Sequence, residues 1–447
     1  MLDFFTSIDD FVWGPPLLVL LVGTGIYLTI RLGLLQIIRL PKAFKLIFAE
    51  DKGEGDISSF AALATALAAT IGTGNIVGVA TAIKTGGPGA LFWMWIAAFF
   101  GMATKYAEGL LAIKFRTLDD QGNVSGGPMY YITHGFSGKW QIIAKPLAYF
   151  FAFAGVLVAW LGIGTFSQVN SITSSLQNSF GWSPKIVSVI LALITSAIIF
   201  GGIQSISKVS EKVVPFMAGL YIIAALIVIF ANFNQLLPVL EMVFQSAFTG
   251  KAAVGGFAGA TVMAAMRLGI ARGVFSNESG LGSAPIAAAA AKTEEPVEQG
   301  LISMTGTFID TIIICTLTGL AILVTGQWSG SLEGAPMTQA AFSSIFGTFG
   351  ELALTLSLVL FAFTTILGWS YYGERCFEFI FKSTKFLSFY RLIFVVMVAL
   401  GGYLTLEVVW KIADIVNGLM ALPNLIALLV LSPIILKESK SYFERHK

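Results

Sequence analysis

The sequence has little charge and few of the side chains that build metal-dependent or nucleophilic active sites. Asp, Glu, Lys and Arg make up 12% of its 447 residues and hydrophobic residues 56%, whereas soluble domains carry roughly 25% charged residues. The two histidines, His134 and His446, stand far apart, which excludes a metal site of the HExxH type. A phosphate-binding loop of the P-loop pattern is also missing from the sequence. The composition therefore excludes a soluble domain and argues against an enzyme or an ATP-driven pump.

Cysteine is equally scarce, and the charge that is present is nearly balanced. The two cysteines, Cys315 and Cys376, lie within apolar runs and predict no disulfide framework. The net charge is +2 and the basic residues are distributed along the chain, so nucleic acid is not an expected partner. Long apolar runs are abundant, and they predict an all-α polytopic protein whose partner is the lipid bilayer.

Eleven apolar segments are long enough to be candidate transmembrane helices. No basic stretch precedes the first, so we expect it to be retained and not cleaved as a signal peptide. The glycine-rich stretch 122–135 is predicted to be an inner loop, without an assigned chemical role. The predicted spans are 15–37, 59–83, 90–113, 148–174, 186–204, 213–231, 254–291, 301–325, 352–379, 392–406 and 412–436.

The distribution of lysine and arginine predicts the orientation of these spans. If the N-terminus is outside, the outer loops receive only Lys84, Lys185, Lys251 and Lys411, and most of the 27 basic residues fall on the inner side. Inner loops of membrane proteins are enriched in basic residues. The sequence therefore predicts an outer N-terminus and a cytoplasmic C-terminus.

The order of the spans predicts an internal repeat. Ten spans follow the first one and divide into two groups of five, which run in opposite directions because five is odd. Such an arrangement is an inverted-topology repeat, found in many secondary transporters. The predicted divisions are an N-terminal span with an inner loop (1–58), the first repeat (59–232), an outer connecting segment (233–253), the second repeat (254–436) and a cytoplasmic tail (437–447).

The first span of the first repeat carries glycine where a membrane helix can least tolerate it. The stretch TALAATIGTGNIVGV (65–79) places Gly72 and Gly74 among polar residues near the middle of the bilayer. Main-chain groups freed there would cost several kcal/mol in lipid unless a protein cavity and a ligand satisfied them. We therefore predict a broken helix and a binding site. The competing interpretation is that the glycines only allow close helix packing.

The first span of the second repeat shows the same feature. Its middle, RLGIARGVFSNESGLGSAP (267–285), contains glycines and a proline that cannot sustain a helix. Ser283 is predicted to cap a second half-helix through 286–291, with Pro285 in its first turn. The competing interpretation is two short helices joined by an ordinary loop.

Four stretches of the sequence resemble the alanine or glycine:cation symporter family of prokaryotes. They are GGPGALFWMWIAAFFG (86–101), ATIGTGN (69–75), RGVFSNESGLGSAPIAAAAAKT (272–293) and LGWSYYGER (367–375). The resemblance covers nearly the whole chain. It implies a LeuT-type fold of two inverted five-helix repeats with one additional N-terminal helix. It also implies sodium-coupled uptake of alanine or glycine, including D-alanine, across the prokaryotic plasma membrane.

A small zwitterionic substrate requires one group for its carboxylate and another for its ammonium. The amides of Thr73, Gly74 and Asn75, at the positive end of the second half-helix, suit the carboxylate. Gln168 offers both a donor and an acceptor, although an interhelical bond is the alternative. The resemblance implies that the aromatic residue Trp369 limits the volume of the pocket, where the alternative is packing alone.

Sodium prefers oxygen ligands, as other hard cations do. The carbonyls of Ala68, Thr70 and Ile71 come free at the break, and the side-chain oxygen of Asn75 is a candidate for a second ion. The resemblance implies that a hydroxyl pair from the ninth span, Thr364 and Thr365, completes a sodium site, with Thr365 also beside the substrate. The alternative for each threonine is a bond to its own helix carbonyl.

Charged residues inside spans are functional hypotheses by default. We predict that Asp310 forms a structural or gating ion pair with Arg267 or Arg272, and that Lys105 pairs with Glu108 three residues later. Asp310 is also the titratable group that a proton-coupled permease, the alternative to sodium coupling, would need. A passive channel is a further alternative, but no ring of filter residues is evident.

Overall fold

Helices form almost all of the residues that the computed structural model describes, which are 2–51, 53–249, 262–403 and 406–446. The strands in these ranges are one short antiparallel pair, β1 (Thr117–Leu118) and β2 (Val124–Ser125). They lie in the connection that contains the glycine-rich stretch, which the sequence predicts to be a loop throughout. Its second part is instead a helix that begins with Pro128, a residue favoured in a first helical turn.

The first half of the chain contains the predicted N-terminal span and the first repeat. One predicted span, 148–174, is divided, because Gly162 and Gly164 lie between the end of one helix and the start of the next. The helices are α1 (Leu2–Val12), α2 (Pro15–Arg31), α3 (Leu35–Ile38), α4 (Leu40–Ile47), α5 (Ser59–Thr70), α6 (Val79–Gly86), α7 (Gly89–Lys114), α8 (Pro128–Gly135), α9 (Gln141–Leu161), α10 (Phe166–Phe180), α11 (Pro184–Ile199), α12 (Gly202–Ala231) and α13 (Phe233–Thr249).

The second half repeats the pattern from α14 onward. The predicted start of its first span, 254–261, lies outside the described residues. The helices are α14 (Val262–Asn277), α15 (Ala284–Ala288), α16 (Pro296–Thr307), α17 (Thr316–Val324), α18 (Gly334–Phe346), α19 (Thr348–Phe381), α20 (Leu387–Leu400), α21 (Leu406–Val430) and α22 (Ser432–Arg445). A π-helical segment, Phe308–Cys315, joins α16 to α17 without a gap.

The polytopic architecture is confirmed, but the count of about 11 spans is not. Among the described residues, 8 helices are long and apolar enough to cross a membrane, or 9 if the bent pair Ser59–Thr70 and Gly74–Gly86 is one span. The apolar helix α11 has only 16 residues, fewer than the roughly 20 that a bilayer requires. The α14–α15 segment is the other predicted span outside this count.

The first predicted interruption is present. The helix α5 ends at Thr70, Ile71 adopts an extended ψ of 91°, and a π-helical turn (Gly74–Gly78) leads into α6. The two helix axes differ by 51°. We call residues 71–73 the first break. A Cβ on Gly72 would lie 2.5 Å from the Thr365 hydroxyl oxygen, so the glycine also allows α19 to approach this break.

The second predicted interruption is also present, between Asn277 and Ala284. We call residues 278–283 the second break. Glu278, Gly280 and Gly282 all have positive φ, at 57°, 89° and 81°, which no helix accommodates. Every residue of this break is buried, whereas connecting loops run over the surface. The interruption is therefore buried, unlike an ordinary surface loop, and the helix that follows it, α15, ends at Ala288, before the predicted end at 291.

Close helix contacts bring the two breaks together at the centre of the molecule. The helix α14 packs against α6 and against the π-helical turn, while α19 packs against α5. A Cβ on Gly74 would lie 3.0 Å from the Cα of Ser276 on α14. Small residues allow this approach, as in other membrane bundles. The glycines of the first break thus serve both interruption and packing, so the two interpretations of the sequence are compatible.

One guanidinium group joins the segments that enter and leave the broken helices. Arg116 donates to the carbonyls of Glu54, Ala289, Ala291 and Thr293 at 2.7–2.9 Å. The amide of Asp56 donates to the Ala290 carbonyl at 2.9 Å. The segment before α5 is therefore fixed to the segment after α15. We call these contacts the Arg116 clasp.

Candidate substrate and ion site

Two amides of the first break donate to side-chain oxygens of the protein. The Gly72 amide donates to the Asn75 side-chain oxygen at 2.8 Å, and the Thr73 amide to Gln168 Oε1 at 3.3 Å. Gln168 Nε2 and Thr73 Oγ1 are buried and have no hydrogen-bond partner among the described residues. An unpaired buried polar group costs about 1–3 kcal/mol. The break therefore presents a donor and a hydroxyl to a polar ligand.

Thr365 connects α19 to the first break. Its hydroxyl lies 3.1 Å from the Ala68 carbonyl, 3.5 Å from the Ile71 carbonyl and 3.0 Å from the Phe361 carbonyl of its own helix. A hard cation with oxygen ligands at about 2.3–2.6 Å holds neighbouring ligands roughly 3.3–3.7 Å apart. If the hydroxyl proton is donated to Phe361, the hydroxyl oxygen and the Ile71 carbonyl, 3.5 Å apart, have this spacing, whereas the Ala68 carbonyl at 3.1 Å is slightly closer.

Two other predicted sodium ligands use their hydroxyls within their own helices. Thr364 donates to the Phe361 carbonyl at 3.0 Å and lies 3.6 Å from the sulfur of Met217 on α12. Thr70 donates to the Ala66 carbonyl at 3.1 Å. The bond to a helix carbonyl, the alternative given for Thr364 and Thr365, therefore describes Thr364, whereas Thr70 is predicted as a ligand through its carbonyl and not through its hydroxyl.

Asp310 lies beside Asn75 and not beside an arginine. Its carboxylate oxygens accept hydrogen bonds from Asn75 Nδ2 at 2.7 Å, Ser276 Oγ at 2.9 Å and Thr311 Oγ1 at 2.7 Å. The residue is completely buried. Lysine and arginine in the described part of the chain form no ion pair with it. Three side-chain donors therefore hold this buried carboxylate, which forms no salt bridge in the described part of the chain.

The predicted ion pair of Asp310 with Arg267 or Arg272 is wrong. Arg272 donates both Nη atoms to Asp414 of α21, at 2.8 and 2.9 Å, and Arg267 pairs with Asp10. One turn of α14 separates Arg272 from Ser276, the residue that reaches Asp310. The Arg272 side chain therefore extends towards α21.

Arg272 also lines a cavity of about 400 Å³, the vestibule. Its walls come from the π-helical turn, from α10 and from α18. Thr73, Asn75, Gln168 and Trp369 are each fully buried, so the vestibule stops short of the first break. Among the residues that line it are Val77, Thr81, Ser171, Arg272, Gln339 and Trp410.

Trp369 connects the first break to the second. It lies one helical turn after Thr365, as the spacing in the sequence predicts. Its indole Nε1 donates to Glu278 Oε1 at 2.9 Å, and its ring meets Tyr372 edge-on with the centroids 5.4 Å apart. Ser283 occupies the predicted cap position of α15, but its hydroxyl donates to Glu278 and forms no cap bond.

Glu108 satisfies the amides of the second break. Its Oε1 accepts hydrogen bonds from the Gly280 and Gly282 amides at 3.1 and 3.2 Å and from Asn424 Nδ2 at 2.6 Å. The predicted pair with Lys105 does not form, and Lys105 Nζ has no hydrogen-bond partner in the described ranges. Amides of both breaks thus bond to side chains of the protein, and the first break also has the unpaired buried Gln168 Nε2 beside it.

Comparison with known proteins decides the family. The model of the sodium:alanine symporter family matches residues 1–447. The chain belongs to this family. A protein of Haemophilus influenzae described as an uncharacterized transporter is 55% identical to this symporter-family chain over 445 residues, 99% of this chain and 96% of its own. A Methanococcus maripaludis protein, sodium/alanine symporter AgcS, is 51% identical over 450 residues, 99% of this chain and 97% of its own.

Solved structures confirm the LeuT-type fold of this member of the sodium:alanine symporter family. The crystal structure of MhsT in complex with L-phenylalanine has a TM-score of 0.61 at 13% identity and covers 85% of this chain and 89% of that one. A manganese transporter of Eremococcus coleocola has a TM-score of 0.53 at 13% identity, with 86% and 81% covered. At such low identity the likeness concerns the fold alone.

Several residues of the site in this family member escape sequence reasoning. Glu278 lies in a glycine-rich stretch, and a carboxylate inside an apolar segment is a signal that could have marked it. Glu108 is predicted to pair with Lys105, and sequence reasoning misses its partners in the second break. Asp414 is likewise a carboxylate inside an apolar segment, α21. Ser276 carries no signal, since serine is common in membrane helices.

Proposed function

We propose that this chain imports small neutral amino acids, alanine and glycine and with them D-alanine, together with sodium by alternating access. The observation that carries the proposal is the pair of unpaired buried side-chain groups at the first break, Gln168 Nε2 and Thr73 Oγ1, beside the Thr365 hydroxyl. Membership of the sodium:alanine symporter family and the 51% identity to a protein named sodium/alanine symporter support it.

The substrate carboxylate would bind at the start of the π-helical turn. The amides of Thr73, Gly74 and Asn75 come first in that segment, where a helix end carries partial positive charge. The Thr73 amide now donates to Gln168 Oε1 over a long 3.3 Å. A carboxylate is a stronger acceptor than an amide oxygen. It would therefore take over this donor and leave the Gln168 oxygen to the substrate ammonium.

Sodium would bind at two places. The first is formed by the Ala68 and Ile71 carbonyls with the Thr365 hydroxyl, and the carbonyl of Thr70 lies next to it in sequence. The second lies beside Asp310, where a cation would neutralise the buried carboxylate and take the place of the hydrogen bond from Asn75 Nδ2. The second site adjoins the amides proposed for the substrate, because Asn75 belongs to both.

Cation entry supplies the driving force for the uptake of a neutral solute. One charge moving through a membrane potential of 100 mV releases about 2.3 kcal/mol, which corresponds to a concentration ratio of roughly 50. Residues 59–86, the two half-helices around the first break, must then face each side of the membrane in turn. In the proposed orientation the vestibule faces outward, the Arg116 clasp faces the cytoplasm, and the protein resides in the plasma membrane.

The test is uptake of labelled alanine by purified protein in liposomes, with an inward sodium gradient, an inward proton gradient, or neither. We expect accumulation only with the sodium gradient, and faster accumulation when the interior is made negative. Accumulation driven by the proton gradient without sodium would favour the proton-coupled alternative, in which Asp310 titrates. Equal uptake under all three conditions would contradict coupled transport.

A further inference from the structure

We propose that Glu278 is a positioning residue for the Trp369 indole and thereby sets the upper size limit for the substrate side chain. This inference rests on the proposed function, because it takes Trp369 as the residue that limits the volume of the substrate site. It adds Glu278, which lies in the second break, to the residues that determine substrate choice.

The contact joins two elements that are distant in sequence. Trp369 Nε1 donates to Glu278 Oε1 at 2.9 Å across 91 residues, and both side chains are completely buried. An indole N–H has no acceptor function and a single direction of donation. A hydrogen bond at this atom therefore fixes the rotation of the ring about its bond to the backbone.

The Glu278 carboxyl group is itself held at several points. Its second oxygen accepts a hydrogen bond from the Ser283 hydroxyl. Its main chain adopts a φ of 57°, with the amide bonded to the Val274 carbonyl at 2.8 Å and the carbonyl accepting from Leu281 at 3.2 Å. A left-handed backbone is uncommon for glutamate. Such conformations persist where the surroundings enforce them, often at functional sites.

The root of the Trp369 side chain is fixed separately. A Cβ added to Gly164 would lie 2.8 Å from the Trp369 Cβ, so α19 fits against the segment between α9 and α10 at this residue. Tyr372 meets the ring edge-on. These contacts place the Cβ and one edge of the indole, whereas Glu278 holds the nitrogen edge. Without an acceptor at residue 278, the ring would rotate to pair its N–H elsewhere, and the boundary of the site would move.

The experiment measures discrimination, the ratio of kcat/KM for alanine to that for valine, in sodium-driven uptake by proteoliposomes. Glu278→Met keeps the length of the side chain and removes the acceptor, whereas Glu278→Gln keeps an acceptor oxygen. We expect Glu278→Met to lower the ratio about tenfold, equivalent to about 1.4 kcal/mol. We expect Glu278→Gln to restore the ratio to within about threefold of the wild-type value, as an amide oxygen still accepts from the indole.

A double-mutant cycle tests whether Glu278 acts through the indole. Trp369→Phe removes the N–H, so in this background Glu278→Met should have no further effect on the ratio. The proposal would be overturned if the double variant lowered the ratio by the product of the two single-variant effects. An unchanged ratio in Glu278→Met would also overturn it. If Glu278→Met does not accumulate in the membrane, Ser283→Ala, which removes the support of the second carboxyl oxygen, takes its place in the same cycle.

A matched control uses another indole of the same protein. Trp95 Nε1 donates to Thr316 Oγ1 at 2.8 Å, between α7 and α17. Thr316→Val removes this acceptor at a distance from both breaks, and we expect the ratio to stay at the wild-type value. If this variant lowered the ratio to a similar extent, the ratio would depend on any loss of packing in the protein, and the proposal would be overturned. Sodium-independent uptake by the wild type would instead contradict the proposed function.

Discussion

The sharpest prediction concerns two adjacent threonines of α19. Thr365→Val replaces the hydroxyl near the Ala68 and Ile71 carbonyls by a methyl group of similar size. Thr364→Val makes the same chemical change one residue away, where the hydroxyl contacts Phe361 and Met217. Only the first substitution removes an oxygen from the proposed sodium site.

The expected magnitude follows from the number of oxygens that the site loses. A contact between a hydroxyl and a charged group contributes about 1.5–3 kcal/mol, which corresponds to a roughly 10- to 150-fold change in affinity. We therefore expect Thr365→Val to raise the sodium concentration for half-maximal alanine uptake by at least about tenfold. Thr364→Val should leave it within about twofold of the wild-type value, since that hydroxyl contributes only to its own helix and to α12.

The assay is the initial rate of labelled alanine uptake into proteoliposomes over a series of external sodium concentrations at a fixed membrane potential. Gel filtration before reconstitution ensures that equal amounts of folded protein are compared for each variant. Equal sodium dependence in the two variants would refute the assignment of Thr365. A larger shift in Thr364→Val than in Thr365→Val would place the ion on the other side of α19.

Three further predictions follow from the site. Gly74→Ala places a Cβ 3.0 Å from the main chain of α14 and should lower alanine uptake at least about tenfold, whereas Gly219→Ala, which meets nothing within 4 Å, should transport normally in the same assay. Asp310→Asn removes the buried charge and should lower the number of sodium ions carried per alanine, read from the reversal potential; an unchanged number would contradict the second site. Arg272→Gln leaves Asp414 buried without its partner, which costs about 3–5 kcal/mol, and thermal unfolding in detergent should show a lower Tm, with partial recovery when Asp414→Asn is added.

The sequence predicts the breaks well because their cause is local. Glycine and proline destabilise a helix wherever they stand, so Gly72 and Gly280 mark their interruptions without knowledge of the neighbours. The match of the two halves in order and direction adds independent support. The family resemblance is confirmed by the family model, which matches residues 1–447.

The sequence does not predict the partners of charged side chains. Arg272 pairs with Asp414 across 142 residues, and nothing in either stretch favours this partner over Asp310. Which of Thr364 and Thr365 faces the first break depends on the rotation of α19 about its axis. That rotation is set by contacts such as the one between Gly368 and Ala69. Such information resides in the assembled bundle.

The Arg116 clasp makes the two sides of the central chamber unequal. Towards the vestibule, the Arg272–Asp414 ion pair joins α14 to α21. At the opposite face, the four hydrogen bonds from the Arg116 guanidinium to main-chain carbonyls must break before the segment that precedes α5 can move. Because these bonds share one side chain, losing some of them weakens the hold of the rest, and exit on that face should behave as an all-or-none step that limits the turnover of the carrier.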